Sequence, residues 1–264
     1  GGTCLNVGCI PSKALLDSSH RYYEANKNLK EHGIKIEKLG LDLNAMMKRK
    51  DDIVSKLTGG ITGLFSANKV QSMQGRGKVI SSNTVEVSKT DGSTENIETK
   101  NIIIATGSKP IEIPSAVFGK HIVDSTGALS FDKVPKTLGV VGAGIIGLEL
   151  GSVYNRLGTD VTIFENQDSI IPDMDQDISK NLLRILKKQG MIFKTKCSIE
   201  NIKILKNKLK IEYKDLKKEQ DVSTESDIVL MATGRKPYST GLGFSQIGGK
   251  TNKNGLIPTN ENKQ

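Results

Sequence analysis

The sequence predicts an α/β fold in which buried strands alternate with helices. One observation is the order apolar strand, glycine-rich turn, helix and second apolar strand over residues 137–165, which is that of a βαβ unit. Another is an internal echo, because IIIATGSKP at 102–110 recurs as VLMATGRKP at 229–237. Each copy is interpreted as a buried strand that ends at a glycine, where the backbone can approach a ligand. Together they predict two Rossmann-like, three-layer ββα domains that bind dinucleotides.

The turn at residues 142–149 reads GAGIIGLE, the pattern GxGxxG between a strand and a helix. Its glycines permit a tight turn and close approach to a pyrophosphate, whose charge the helix N-terminus receives. The next strand ends in Glu165, where a carboxylate can accept a hydrogen bond from a ribose 2′-OH, and no arginine follows at 166–168. NAD is therefore predicted in preference to NADP. The candidate dinucleotide-binding residues are Gly142, Ala143, Gly144, Ile145, Ile146, Gly147, Leu148, Glu149 and Glu165.

Two cysteines near the start of the chain, Cys4 and Cys9, lie immediately before Pro11. Proline suits the first turn of a helix, so Cys9 is placed at the positive end of a helix that stabilises a thiolate, with Lys13 one turn further on. This predicts a redox-active pair. A structural disulfide is the first alternative, although disulfide-stapled domains are small and rich in cysteine. A zinc site is the second, although the pair lacks CxxC spacing. The remaining Cys197 is interpreted as a core or surface thiol.

The segment GGTCLNVGCIPSK at residues 1–13 resembles the active-site segment of the flavin-dependent pyridine nucleotide–disulfide oxidoreductases. Its Ile-Pro-Ser-Lys continuation looks most like that of the dihydrolipoamide dehydrogenases. The resemblance implies that Cys4 exchanges with the substrate, that Cys9 faces the flavin and that Lys13 lies beside the flavin. It also implies an ion pair between Lys13 and Glu149. These four residues are the catalytic candidates.

The resemblance also adds candidates for binding FAD and NAD. The first echo, with Thr106, Gly107 and Ser108, is expected on the FAD side, and Gly234 of the second echo on the NAD side. Gly77 is favoured for a close approach to the flavin, and Ile199, in a predicted strand, is a further cofactor-binding candidate. No metal site is predicted, and none of the three histidines is assigned a catalytic role.

The composition is that of a folded enzyme, with 36% hydrophobic and 25% charged residues and no apolar run of membrane-spanning length. The formal net charge of +9 comes from lysines scattered along the chain, which is typical of a solvated basic surface. Aromatic residues make up only 4% and tryptophan is absent, so stacking platforms for nucleic acid are scarce. Neither a nucleic-acid partner nor a membrane is predicted.

The predicted organisation begins with a partial FAD-binding domain that carries the redox disulfide at 1–110. A linker follows at 111–135, then an NAD-binding domain at 136–240 and a return toward the FAD domain at 241–264. Smaller elements are also predicted: an amphipathic helix at 43–64 broken around Gly59-Gly60, a hairpin around Asp91-Gly92, a helix at 178–190, and strands around Phe193, at 199–205 and at 209–213, the last two joined at Asn207.

By resemblance, the expected reaction is oxidation of protein-bound dihydrolipoamide through the redox disulfide and FAD to NAD. Lipoyl-bearing proteins of 2-oxoacid dehydrogenase or glycine cleavage complexes are the implied partners. A homodimer is expected, in the cytoplasm of a bacterium or in the mitochondrial matrix. Further FAD motifs and the acid/base pair are expected outside Gly1–Gln264, so that the chain is an internal fragment with an incomplete FAD domain. The alternatives are another disulfide reductase, similar to glutathione or mercuric reductase, and a non-catalytic nucleotide-binding scaffold subunit.

Overall fold

The computed structural model describes residues 2–114, 116–206, 208–262 and 264, and the chain divides into two compact units. Unit 1 comprises residues 1–58 and 110–234, and unit 2 comprises 59–109 and 235–264. The α-helices are α1 (Gly2–Val7), α2 (Cys9–Lys27), α3 (Leu43–Ala67), α4 (Ser125–Ala128), α5 (Ile145–Arg156) and α6 (Gln176–Lys188), and the two 3-10 helices are Leu29–His32 and Phe244–Ile247. The strands are β1 (Arg76–Ser81), β2 (Thr84–Ser88), β3 (Thr94–Glu98), β4 (Ser108–Pro110), β5 (Ile122–Val123), β6 (Thr137–Val141), β7 (Asp160–Glu165), β8 (Ile192–Thr195), β9 (Cys197–Ile204), β10 (Leu209–Asp215), β11 (Gln220–Ser226), β12 (Ile228–Met231) and β13 (Arg235–Pro237).

A five-stranded sheet in the order β5-β12-β6-β7-β8 forms the centre of unit 1, and all its strands run parallel. The predicted βαβ unit is confirmed as β6, α5 and β7. Successive side chains of β6 point to opposite faces of the sheet. Val140 packs into the core on one face and Val141 into the core on the other.

Helices cover one face of this sheet. Leu15 of α2 and Leu150 and Tyr154 of α5 pack with Val140 and Ile163 of the strands in a single buried cluster. The hydroxyl of the fully buried Tyr154 donates a hydrogen bond to the Ala128 carbonyl, and burial raises the pKa of this phenol. The helix that begins at Cys9 is thereby packed directly on the helix that follows the glycine-rich turn.

An antiparallel sheet in the order β11-β10-β9 covers the opposite face. Phe164 of β7 meets Tyr213 of β10 edge to face, with ring centroids 5.1 Å apart. Ile211 packs against Gly139, where an added Cβ would lie 2.6 Å from its Cδ1 atom. Antiparallel sheet, parallel sheet and helices therefore form the predicted three-layer ββα arrangement in unit 1.

Unit 2 contains two smaller sheets. The antiparallel sheet β1-β2-β3 includes the predicted hairpin, in which β2 and β3 flank Asp91-Gly92. The second sheet joins β4 to β13. These two strands are the Ser-Lys-Pro and Arg-Lys-Pro ends of the internal echo, so the two copies pair with each other.

Two sequence predictions are wrong. Residues 102–104 do not form a strand, and Ile103 is 90% exposed. A parallel strand needs backbone partners beside it, and none of the described residues pairs with this stretch. Helix α3 is continuous through Gly59-Gly60, because a helix tolerates glycine at a cost of about 1 kcal/mol per residue relative to alanine.

The other local predictions are confirmed within one or two residues, namely α6 and the strands β8, β9 and β10. Asn207, predicted to join two strands, lies outside the described residues. Within the predicted linker, β5 pairs with β12, so this part of residues 111–135 belongs to the central sheet. Among the described residues, no helix combines the length and the apolar character needed to cross a membrane.

Candidate redox and dinucleotide site

Cys4 and Cys9 are joined by a disulfide at the junction of α1 and α2, with their Cα atoms 4.6 Å apart. The junction is tight, because an added Cβ at Gly8 would lie 2.8 Å from the Thr3 carbonyl oxygen. Gly8 is the N-cap of α2 and supplies no capping side chain, so Cys9 occupies the first helical position. Both cysteines are exposed. The helix start therefore presents its positive end to a sulfur atom that solvent can reach.

The predicted ion pair between Lys13 and Glu149 is present. Lys13 Nζ lies 2.5 Å from Glu149 Oε1, and the hydroxyl of Ser12 donates a 2.5 Å hydrogen bond to Glu149 Oε2. Each oxygen of one carboxylate thus meets a donor from consecutive residues in the first turns of α2. Glu149 belongs to α5, so these three residues, here called the carboxylate clasp, tie the redox helix to the helix that follows the glycine-rich turn.

Two glycines of the turn between β6 and α5 are required because a side chain there would collide with neighbouring backbone. Gly142 has a φ of 107°, and a Cβ there would collide with the Ala232 carbonyl. A Cβ at Gly147 would collide with the Gly142 carbonyl oxygen and lie 3.1 Å from Val140 Cγ1. Because Gly142 has no side chain, the end of β12 can lie close to the turn. Because Gly147 has none, α5 can pack close to β6, as a dinucleotide-binding turn requires.

The middle of the turn is open. A Cβ at Gly144 would have no heavy atom within 4 Å, and Ile145 is 60% exposed. Gly144 is the N-cap of α5 and has no side chain with which to cap it. Ile146 is half-buried and Leu148 is buried in the core, so these two anchor the helix start. The space beside Gly144 therefore lies at the start of α5, where the first backbone N–H groups of a helix lack intrahelical partners and can bind a phosphate.

Glu165 at the end of β7 holds the glycine-rich turn in place. Its Oε2 accepts a 2.7 Å hydrogen bond from the Ala143 N–H, and its Oε1 accepts a 2.9 Å bond from the Gln167 N–H. The Ala143 carbonyl in turn accepts a 3.0 Å bond from the Ile171 N–H. The carboxylate predicted to bind a ribose therefore stands directly against the predicted phosphate loop.

Gly234 follows β12 at the carboxyl edge of the same sheet. Its carbonyl accepts a 3.1 Å hydrogen bond from the Ile111 N–H, and its φ is 116°. The preceding Ala232 donates a 2.8 Å bond to the Val141 carbonyl. The turns after β6 and β12 thus lie next to each other at the carboxyl edge of the sheet. This edge is the usual place for ligands in an open α/β sheet.

The FAD-side candidates of the first echo lie in unit 2 and engage the second echo. Thr106 donates a 2.7 Å hydrogen bond to the Tyr238 carbonyl, and the Gly107 carbonyl accepts one of 2.9 Å from the Tyr238 N–H. Arg235 donates to the hydroxyl and to the carbonyl of Ser108, at 2.8 and 2.6 Å. Their polar groups thus hold the β4–β13 pair together.

Two further candidates occupy strands. Gly77 lies in β1, where a Cβ would be in ordinary contact with Val85 at 3.6 Å, so this strand does not itself require a glycine there. Ile199 lies in β9 opposite Tyr213 and packs partly buried against the core beneath the central sheet. Among the residues that the structure describes, the free cysteine is Cys197. It is 3% exposed and packs in the core beneath the central sheet, and this burial raises the pKa of its thiol.

Sequence reasoning missed two residues whose side chains hydrogen-bond the side chain of a candidate. Ser12 contacts Glu149, and Arg235 contacts Ser108. Ser12 belongs to the cysteine motif at residues 1–13. The sequence does not indicate that its hydroxyl contacts Glu149, which lies 137 positions further along the chain. For Arg235, the only signal was its place in the echo opposite Ser108.

The profile of the family described as pyridine nucleotide-disulphide oxidoreductase matches residues 1–264. The chain belongs to this family. Among curated oxidoreductases of similar sequence, the mitochondrial dihydrolipoyl dehydrogenase of Pisum sativum is 45% identical over 262 residues. That alignment covers 99% of this chain and 52% of the relative. The leghemoglobin reductase of Glycine max is 46% identical over 99% of this chain and 50% of the relative. The chain spans about half the length of these relatives.

Two solved structures agree on the fold. LpdA from Mycobacterium tuberculosis has a TM-score of 0.88 at 24% identity, covering 98% of this chain and 56% of that one. The HOCl-induced flavoprotein disulfide reductase RclA from Escherichia coli has a TM-score of 0.80 at 25% identity, covering 98% and 54%. The α/β fold with a parallel sheet is thereby confirmed as that of a dinucleotide-binding disulfide reductase.

Proposed function

We propose that this chain is the redox-disulfide and nucleotide-binding part of a dihydrolipoyl dehydrogenase. The observation that carries the proposal is the Cys4–Cys9 disulfide at the start of α2, tied by the carboxylate clasp to the start of α5. Such an arrangement connects a thiol-exchange centre to a dinucleotide-binding turn within one unit. The sequence similarity to dihydrolipoyl dehydrogenases supports the substrate class.

In the proposed reaction, a substrate dithiol exchanges with the Cys4–Cys9 disulfide. One thiolate of a substrate dithiol attacks Cys4 Sγ, so that a substrate–Cys4 bond forms and the Cys4–Cys9 bond breaks. Cys9 leaves as a thiolate, which the positive end of α2 stabilises. The second substrate thiol then attacks the substrate sulfur of the mixed disulfide and releases Cys4. The substrate is oxidised by two electrons, the cysteine pair gains them, and the two substrate protons pass to the cysteine pair or to solvent.

The residues present fit a nicotinamide dinucleotide. The open position at Gly144, the uncapped start of α5 and the Glu165 carboxylate would hold its phosphates and ribose. For FAD, the clasp lysine and the residues of the first echo are the candidates from the family resemblance. When bound, FAD would supply the two-electron chemistry that links the cysteine pair to hydride transfer with NAD.

The lipoyl-bearing proteins of a 2-oxoacid dehydrogenase or glycine cleavage complex are the proposed partners, and a homodimer is the proposed state of the whole enzyme. The relatives in Pisum sativum, Arabidopsis thaliana and Dictyostelium discoideum are named as mitochondrial. Their names support the mitochondrial matrix as one option for location, with the cytoplasm as the bacterial option.

The full-length enzyme tests the proposal directly. We expect dihydrolipoamide to drive reduction of NAD, measured as NADH absorbance, with glutathione and NADP giving less than about one hundredth of that rate. Reduction of glutathione disulfide by NADPH, without oxidation of dihydrolipoamide by NAD, would instead assign a glutathione reductase-like function. A flavin-free protein with neither activity would favour the scaffold alternative.

A second test concerns nucleotide choice. Replacing Glu165 with alanine removes both the proposed ribose acceptor and the support of the Ala143 N–H, so we expect NADH binding to weaken by about tenfold or more. FAD retention should be unaffected. Arginines at Asn166 and Gln167 would supply cations for a 2′-phosphate, and the double variant should shift preference toward NADPH. Unchanged preference in steady-state kinetics would contradict this assignment.

A further inference from the structure

The hydroxyl of the clasp makes a contact unlike those of the other buried serines of α2 and α5. Ser19 of α2 donates to the Leu16 carbonyl, and Ser152 of α5 donates to the Leu148 carbonyl, which is the usual bond of a helical serine to its own preceding turn. Ser12 is also buried, at 6% exposure, but it donates to a carboxylate on another helix.

The two donors of the clasp differ in how firmly they hold Glu149. The Lys13 side chain is 60% exposed and has four rotatable bonds, so its ion pair contributes little to stability and does not by itself orient Glu149. Ser12 has one rotatable side-chain bond, is enclosed, and hydrogen-bonds an ionised group, which is a stronger interaction. The orientation of the Glu149 carboxylate is therefore set mainly by Ser12, and Lys13 pairs with the other oxygen, Oε1.

We propose that Ser12 is a positioning residue for the redox reaction, acting through Glu149 on Lys13. This inference rests on the proposed function, in which Lys13 lies beside the flavin and stabilises negative charge that develops on it. By fixing Glu149 Oε2, Ser12 presents Oε1 to Lys13 and restricts where the ammonium group stands. Removing the Ser12 hydroxyl keeps the charges of Lys13 and Glu149 but no longer fixes their positions.

The test uses full-length holoenzyme carrying Ser12→Ala, Glu149→Leu or both. Ser12→Ala should lower the limiting rate constant of flavin reduction by dihydrolipoamide in stopped flow by about tenfold, since a hydrogen bond to a charged group is lost. The half-saturating dithiol concentration should change less than about twofold, because Ser12 does not meet the substrate. In the Glu149→Leu background, Ser12→Ala should have almost no further effect.

Ser19→Ala is the matched control, since it removes a buried hydroxyl from the same helix without touching Glu149. It should leave the rate constant unchanged in both backgrounds. Ser12→Thr, which keeps the hydroxyl, should restore most of the rate, whereas Ser12→Cys should behave as Ser12→Ala. Equal slowing by Ser12→Ala with and without Glu149 would overturn the proposal.

Urea unfolding of the same variants separates this inference from the proposed function. The midpoint shifts of Ser12→Ala and Glu149→Leu should be non-additive, and those of Ser19→Ala and Glu149→Leu additive. A wild-type enzyme that dihydrolipoamide does not reduce would refute the proposed function. Non-additive midpoints would even then support Ser12 as the residue that positions Glu149, and additive midpoints would overturn it.

Discussion

Cys4→Ser in the full-length enzyme is expected to lower dihydrolipoamide oxidation by roughly a thousandfold or more, because the sulfur that exchanges with substrate is gone. Cys9→Ser should lower it equally, but the two variants should differ in spectrum. With Cys4 replaced, Cys9 remains at the positive start of α2, where a thiolate is stabilised. A charge-transfer band between this thiolate and the flavin should therefore persist in Cys4→Ser and disappear in Cys9→Ser.

Cys197→Ala is the control for the cysteine variants. This thiol is buried in the core of unit 1 and donates to the Lys194 carbonyl, so its loss should leave dithiol oxidation intact. Equal charge-transfer absorbance in Cys4→Ser and Cys9→Ser would refute the division of labour between the two redox cysteines. Activity retained in either would refute a redox role for the disulfide and restore the structural alternative.

Gly147→Ala is expected to destabilise unit 1 and to abolish tight NADH binding. The new methyl group would collide with the Gly142 carbonyl oxygen and crowd Val140 and Ala232, which forces α5 away from the strands. Overpacking of this kind costs roughly 1–3 kcal/mol of unfolding free energy. Urea unfolding and NADH titration of the full-length enzyme measure the two effects.

Gly144→Ala is the matched control in the same turn. Its backbone has a φ of −76°, and a Cβ there would contact nothing, so the free energy of unfolding should not fall. NADH binding should still weaken, because the methyl group would occupy the space proposed for the pyrophosphate. Equal destabilisation by both alanines would contradict the steric account, and unweakened NADH binding by Gly144→Ala would contradict the proposed phosphate position.

The sequence predicted elements whose determinants are local. Pro11 predicted that a helix starts at Cys9, as α2 does, and GxGxxG between apolar stretches predicted β6, α5 and β7. Both depend on residues within one turn or one strand, where backbone preference and hydrophobic periodicity act directly. The same rules misjudged 102–104, because an apolar stretch becomes a strand only where another strand pairs with it.

The amino-acid sequence by itself determined the redox pair, the glycine-rich turn and the acid that ends β7, because each is a short pattern with its own steric or electrostatic reason. The family resemblance added the Lys13–Glu149 pair. Only the tertiary structure decided that Ser12 completes the carboxylate clasp and that the two echo segments pair as β4 and β13. Those contacts join residues more than 120 positions apart, and their geometry follows from the packing of helices and strands rather than from any local preference.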